Sequence, residues 1–302
     1  MAIAVTSDQT NNQSNAGRVL LRNSSGIPYV VVTDETNGAI RVFKGNSATP
    51  TSFSEVDSAN NPDGAAYGSC SAAIDSTNVI HIAYHAYIAK TSQLRYVTVT
   101  AADAFAGDVA VIADIGGDPT AITNLYTAIA IDSNDIPHIA YSEYPNKGGL
   151  PSLYYNNRIG GAWNASGVEI EGGTNGIICF NQDIAIDADN IPVVSYHYSA
   201  TSDADVRAAT GNANDATSFT LTSALDSASS TLRNTSICVD SSGNHFIAGY
   251  KSSSLDVFIG KHAYGDAWAT WSDISPSSNV GTAQPFSIVA NGTDVYIFYE
   301  DS

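Results

Sequence analysis

The sequence is poor in the residues that build helices. Among 302 residues there are one Met, five Lys and six Glu, so the strong helix formers are scarce and a helical fold is disfavoured. Basic residues are also few. Twelve Lys and Arg stand against 30 Asp and Glu, for a formal charge of -18. Such a chain repels phosphate backbones and anionic surfaces, so nucleic acid and membrane insertion are set aside as partners. The charge itself reads as a means of staying soluble. No apolar run approaches the length of a membrane span. There are three cysteines, Cys70, Cys179 and Cys238. The odd count and the apolar neighbours suggest buried, reduced thiols. No C-x-x-C or Cys/His zinc spacing occurs, so no metal and no other cofactor is expected. No Ser–His–Asp set, phosphate loop or nucleotide fingerprint is visible. Residues 1–18 lack the basic start and apolar core of a signal peptide. The expected location is a virion or extracellular surface reached without a classical signal, with the cytoplasm as the alternative.

What the sequence does have is turn residues, β-branched residues and tyrosine, arranged in a repeat. Five segments align without gaps: Val19–Thr33, Ser71–His85, Ala128–Ser142, Asp183–His197 and Ser236–Tyr250. Phe286–Glu300 aligns more weakly. An acidic anchor marks each copy: Asp75, Asp132, Asp187 and Asp240, with Asn23 and Ala290 at the same place in the first and last. The anchor spacings are 52, 57, 55, 53 and 50 residues.

Within each copy the period is two. Before the anchor, large residues (Ile74, Ile131, Ile186, Val239) alternate with small ones (Ala73, Ala130, Ala185, Cys238), as in a strand buried on both faces. A turn rich in Asp, Ser, Asn and Gly follows. A second strand (HIAY, HIAY, VVSY, FIAG) and a third (AIRVF, QLRYV, SLYYN, DVRAA, LDVFI) come next. Fourth strands read GDVAVIAD, GVEIEG and SFTLTS. The pattern predicts an all-β, single-domain, six-bladed β-propeller over 1–302. Its four-stranded antiparallel blades start near 19, 71, 128, 183, 236 and 286. The last copy stops after two strands, and Ala2–Thr6 is the strand expected to close the ring.

The pattern D-x-x-[GN]-x-P-H-I-A-Y, best seen in Ile131–Tyr141 and followed by an L-x-Y strand, resembles a broad group of bacterial and phage β-propellers related to BNR and sialidase-like repeats. The resemblance covers about Arg18 to Asp301 and implies the fold. Members include lectins, adhesins, virion proteins and glycosidases. The sialidase Asp-box S-x-D-x-G-x-x-W is absent; Cys238–Phe246 comes nearest but lacks the Ser and has its Gly one place late. That departure puts sialidase activity in doubt.

Several residue sets could carry chemistry. The anchor aspartates could bind calcium, but a side chain repeated in every blade reads first as a turn former. His81 and His138 share one repeat position, and His85 and His197 another; equivalent positions in different blades do not converge, so these read as structural. Arg41, Arg95 and Arg207 share a third-strand position away from the axis, which argues against a carboxylate-gripping triad.

The loops suggest more. The face formed by the strand-two-to-three loops and the blade connections would carry Tyr67, Tyr87, Tyr126, Tyr144 and Tyr198. With them would lie Glu143, Lys147, Asp203, Arg233 and Asn234. Aromatic rings beside acids and amides can stack on sugar rings and bond their hydroxyls, while ordinary loop packing is the alternative. The favoured reading is a non-enzymatic, virion-associated or surface binder such as a phage spike, tail fibre or capsid decoration. Its partner would be a glycan or host-surface receptor, with other virion proteins as further contacts. The alternatives are a sialidase-like or other glycoside-processing enzyme, and a purely structural assembly module.

Overall fold

The computed structural model describes residues 19–34, 36–58, 66–88, 91–106, 110–114, 126–143, 152–172, 178–199, 204–225, 232–251, 256–267, 272–273 and 287–298. Within them the chain is all-β, with five four-stranded antiparallel sheets and one two-stranded sheet. Sheet 1 holds β1 (Leu20–Arg22), β2 (Pro28–Asp34), β3 (Ala39–Gly45) and β4 (Phe53–Glu55). Sheet 2 holds β5 (Ala66–Ile74), β6 (Ile80–Ile88), β7 (Thr91–Val99) and β8 (Ala110–Asp114). Sheet 3 holds β9 (Thr127–Ile131), β10 (Pro137–Glu143), β11 (Ser152–Asn157) and β12 (Val168–Glu171). Sheet 4 holds β13 (Ile178–Ile186), β14 (Pro192–Ser199), β15 (Ala204–Gly211) and β16 (Phe219–Leu225). Sheet 5 holds β17 (Leu232–Val239), β18 (His245–Lys251), β19 (Asp256–His262) and β20 (Ser272–Asp273). Sheet 6 holds β21 (Ser287–Asn291) and β22 (Asp294–Phe298). Each sheet is a meander in chain order. Ala2–Thr6 lies outside the described residues.

The anchor residue builds the turn after each first strand. Asp75 Oδ1 accepts the N–H groups of Thr77 and Val79 at 2.9 and 2.8 Å, while its own N–H donates to Val79 O at 3.0 Å. Asn23, Asp132, Asp187 and Asp240 repeat this pattern. Three residues past the anchor the backbone is left-handed, at Gly26, Asn78, Asp135, Asn190 and Gly243 (φ 77°, 66°, 62°, 62° and 81°). Gly, Asn and Asp are the types that tolerate this region. Neighbouring turns are tied together. Ser24 N–H donates to Asn78 Oδ1 at 2.8 Å, Ser76 N–H to Asp135 Oδ1 at 2.8 Å and Ser133 N–H to Asn190 Oδ1 at 3.0 Å.

The sixth copy differs from the sequence alignment by one place. Ile288 is buried and donates its N–H to Ser236 Oγ, as Ile237 and Ile129 donate to the preceding sheets. Ile288 therefore corresponds to Ile237, and the anchor position is Asn291 rather than Ala290. The turn there is only Gly292–Thr293, between paired Asn291 and Asp294. The shorter hairpin hid the phase.

The large–small alternation has a direct packing meaning. Ile74, Ile186 and Val239 face the sheet before their own, and Ala73, Ala185 and Cys238 face the sheet after. First strands converge, so one side of each must be small for the next sheet to approach. Fully buried Ile82, Ile139, Val194 and Ile247 fill the layers behind them, each contributing about 1.5–3 kcal/mol by burial. Residues of all six first strands line one cavity of about 410 Å³ with apolar side chains, Leu21, Ile74, Ile131, Ile186, Val239 and Val289 among them.

Cys70 and Cys238 are buried, and neither forms a disulfide among the described residues. Cys179 lies in β13, and its side chain is outside the described residues.

Candidate functional site

The two ends of the first strands differ in chemistry. The ends that run into the anchor turns surround the apolar cavity. The opposite ends carry buried polar groups: Ser71, Thr127, Asn181, Gln182, Asp183, Thr235 and Ser236. Four positions before the anchor, Ser71 Oγ accepts the Ile129 N–H at 3.1 Å, and Asp183 Oδ2 accepts both Ile237 N–H and Ser236 Oγ–H at 3.0 Å. Sheet 3 has Ala128 at this position and cannot latch the following sheet. Asp183 Oδ1 instead takes the N–H of Ile184 at 2.9 Å. Gln182 adds a second tie, its Nε2 donating to Tyr126 O at 2.5 Å while its Oε1 accepts from Ser142 Oγ at 3.0 Å. This polar end is also where second strands pass into third strands.

Those of the sequence-predicted residues that are described fall at this end, mostly in strands rather than loops. Tyr67 is in β5, and Arg233 and Asn234 are in β17, all with side chains outside the described residues. Tyr144, Lys147 and Asp203 lie outside the described residues altogether. Tyr87 is half-buried near the end of β6. Tyr126 is only 8% exposed, so it is a packing residue and not an exposed ring. Tyr198 is half-buried beneath the Arg207 guanidinium, 3.3 Å from the ring centroid. Glu143 ends β10 and is half-buried.

Glu143 shares its surroundings with a second acid, Glu169. Burial raises its carboxyl above the usual range, and the nearby Glu169 charge raises it further. Both acids act on Tyr154, which stacks on Tyr141 with ring centroids 5.7 Å apart. A bulge between Leu153 and Tyr154 decides which acids share this face. Glu169 pairs with Tyr154 and Glu171 with Leu153, leaving Ile170 unpaired. Glu169 therefore joins Glu143, while Glu171 turns to sheet 4, where it accepts hydrogen bonds from Tyr196 Oη and from Arg207 at 2.8 Å. Sequence reasoning missed Glu169, because strict alternation in VEIE puts both acids on one side. Only the bulge separates them, and bulges have no clear sequence signal in this strand.

The other candidate sets stay apart. Arg41 pairs with Asp34 at 2.6 Å and Glu55 at 3.2 Å. Arg95 donates to Gln93 at 3.0 Å, and Arg207 is held by Glu171. The histidines serve their own sheets. His81 Nδ1 lies 2.6 Å from Tyr96 Oη and its Nε2 3.1 Å from Asp75 Oδ2. His138 lies 2.6 Å from Tyr155 Oη and 3.6 Å from Asp132. Burial pushes both imidazoles down. Burial alone would raise Asp75, but hydrogen bonds from His81, Val79 and Thr77 hold it below the usual range. Among the described residues no group of three or more His, Cys, Asp or Glu could hold a metal ion.

No protein-family model matches the sequence, and no curated protein matches it. Solved structures do resemble it in fold. One is a Dyadobacter fermentans protein of unknown function, with a TM-score of 0.63 at 10% identity over 97% of this chain and 92% of that one. Another is a variant of the α-L-arabinofuranosidase Arb93A of Fusarium graminearum, solved with an iminosugar inhibitor (TM-score 0.61, 12% identity, 93% and 86% of the two chains). A third is the polysaccharide lyase Uly1 (TM-score 0.57, 11% identity, 96% and 77%). The fold is thus propeller-like. The expectation of a non-enzymatic binder is corrected at this point. An arabinofuranosidase and a polysaccharide lyase stand among the solved structures similar in fold, and of the residues named for the loop face, Tyr126 is buried while Glu143 is half-buried and shares its face with an exposed Glu169. The virion and host-receptor expectations gain no support.

Proposed function

We propose that the chain is a six-bladed propeller that cleaves glycosidic bonds, with Glu143 as general acid and Glu169 as its partner carboxylate. One observation carries this reading: the bulge between Leu153 and Tyr154 brings Glu169 of β12 onto the face of the sheet that carries Glu143, where burial and the Glu169 charge raise the Glu143 carboxyl. Glycoside cleavage needs a carboxyl that keeps its proton for the leaving group and a second carboxyl beside it, and burial suits Glu143 to the first role. Half-buried Tyr154, backed by the fully buried Tyr141, offers an apolar surface for a sugar ring. The likeness to an arabinofuranosidase and a polysaccharide lyase supports the substrate class. The repeat's resemblance to BNR- and sialidase-like propellers agrees with the fold, although the separate engagement of Arg41, Arg95 and Arg207 disfavours sialic acid.

The same proposal includes the ring. Six first strands around one cavity support six blades, and Ala2–Thr6 would add a third strand beside β22. Polysaccharides are met outside the cell, so release from the cell belongs to the proposal. The test is incubation of the purified chain with a panel of polysaccharides that includes arabinan and uronate-containing polymers. New reducing ends without unsaturated uronate are the expected result. Unsaturated ends would make the chain a lyase, and no product from any member of the panel would overturn the reading.

A further inference from the structure

Sheet 5 departs from the repeat at several positions that border one cavity. Five residues after the anchor, sheets 1 and 4 carry Pro28 and Pro192. Each packs on a third-strand glycine, Gly45 and Gly211, so tightly that an added Cβ would lie 2.9 Å from the proline ring. Sheet 5 places His245 there, paired across the strands with His262, the two rings meeting edge-on at 5.7 Å. Its left-handed turn residue is Gly243, which has no side chain to accept the bond that Asn78, Asp135 and Asn190 accept from the preceding turn. In place of that bond, Tyr264 lies over Gly243, where an added Cβ would come within 2.6 Å of the ring. Its Oη donates to Asp189 Oδ2 of sheet 4 at 3.0 Å. The result is a cleft of about 410 Å³ between sheets 4 and 5, bordered by Asp187, Asp189, His245, His262, Tyr264 and Asp266.

We propose that this cleft is a second, non-catalytic carbohydrate site that stacks one ring of a neutral saccharide on Tyr264 and bonds its hydroxyls through the exposed Asp189 and Asp266, with buried His245 and His262 as its floor. Tyr264 is 52% exposed, although one face of its ring is covered by the bare backbone of Gly243. A fixed aromatic ring with an open face binds the C–H face of a sugar at little cost in entropy. The carboxylates then accept hydrogen bonds from the sugar hydroxyls. Burial, with His262 adding to it, pushes His245 down to about 4, so the cleft floor beneath the aspartates carries no positive charge from His245. Three aspartates and the overall negative charge select against anionic sugars. A cleft of this size suits one or two rings. It lies at the anchor-turn end, opposite Glu143, so both sites could be occupied together and the cleft could hold polymer while the other site cuts.

Calorimetric titration tests this in the Glu143→Gln background, where turnover does not consume the probe. The probes are cellobiose, xylobiose, lactose, mannobiose and arabinobiose. At least one should bind, and Tyr264→Ala should weaken it at least tenfold. Asp266→Ala, an exposed change that leaves the fold intact, should weaken it about threefold or more, and is the deciding variant if Tyr264→Ala fails to fold. Tyr296→Ala, at a 46% exposed tyrosine in β22, should leave binding unchanged. Binding that survives both cleft variants, or no binding by any probe, would overturn the proposal. Neither result bears on whether the wild-type chain cuts polysaccharide.

Discussion

Ser76 donates both its backbone N–H and its hydroxyl to the carboxylate of Asp135, at 2.8 and 2.6 Å. The two residues belong to the turns of neighbouring sheets, and Asp135 is itself left-handed. One side chain thus answers a local backbone need and ties two repeats together. Asp135→Ala loses the ties and strains the turn, and should cost about 1–2 kcal/mol in urea unfolding. Asp135→Asn keeps the Oδ1 acceptor and the backbone tolerance and should cost well under half of that. Equal losses would show that charge, not turn geometry, matters.

Asp183 carries a heavier duty, because Ala128 leaves sheet 3 without a latch. Removing the carboxylate orphans the buried N–H groups of Ile184 and Ile237. Asp183→Ala should therefore destabilise the chain by roughly 2–4 kcal/mol. Ser71→Ala, which frees only Ile129 N–H, should cost about half as much. Chemical denaturation of the two variants decides the order.

Burial pushes the Cys70 thiol up to about 11. A buried thiol in its protonated form is inert. Cys70 should resist a thiol-specific reagent at pH 8 in the native state and react fully in denaturant, as followed by peptide mapping. Labelling of the native protein at Cys70 would show that sheets 1 and 2 open readily.

The Glu143 carboxyl is raised in the folded state, so folding favours its protonated form. The stability this gives is fully present below the unfolded value of about 4.3 and is lost as pH rises through the raised folded value. Glu143→Gln escapes that loss. It should melt roughly 1–2 °C above wild type near pH 8 and level with it near pH 4. A variant less stable than wild type at pH 8 would mean that Glu143 makes a favourable ionic contact there.

The fold was legible in the sequence because each repeat solves the same problem with the same residue types. Asp75, Asp132 and Asp187 announce the turn, and the Ile–Ala alternation announces a strand packed unequally on its two sides. The sixth copy was read one place early because a two-residue turn replaces the five-residue one. The site was less legible. Glu143 was named among the loop-face residues, yet its importance depends on Glu169, which a bulge brings to the same face. Tyr126 was named as an exposed ring, but its position just before β9 buries it, with its carbonyl receiving Gln182. His245, His262 and Tyr264 drew no attention, since what marks them is a departure from the repeat and not a motif of their own.

The central claim is that Glu143 delivers the proton to the leaving group. The most direct test compares wild type with Glu143→Gln on a substrate that the panel identifies and on an aryl glycoside of the same sugar with an acidic phenol as leaving group. A missing general acid matters only when the leaving group needs a proton. The account predicts a loss of at least about a hundredfold in kcat/KM on the natural linkage, little loss on the activated aryl glycoside, and an alkaline limb in the wild-type pH profile that the variant lacks. Equal losses on both substrates, or wild-type activity in Glu143→Gln, would contradict it.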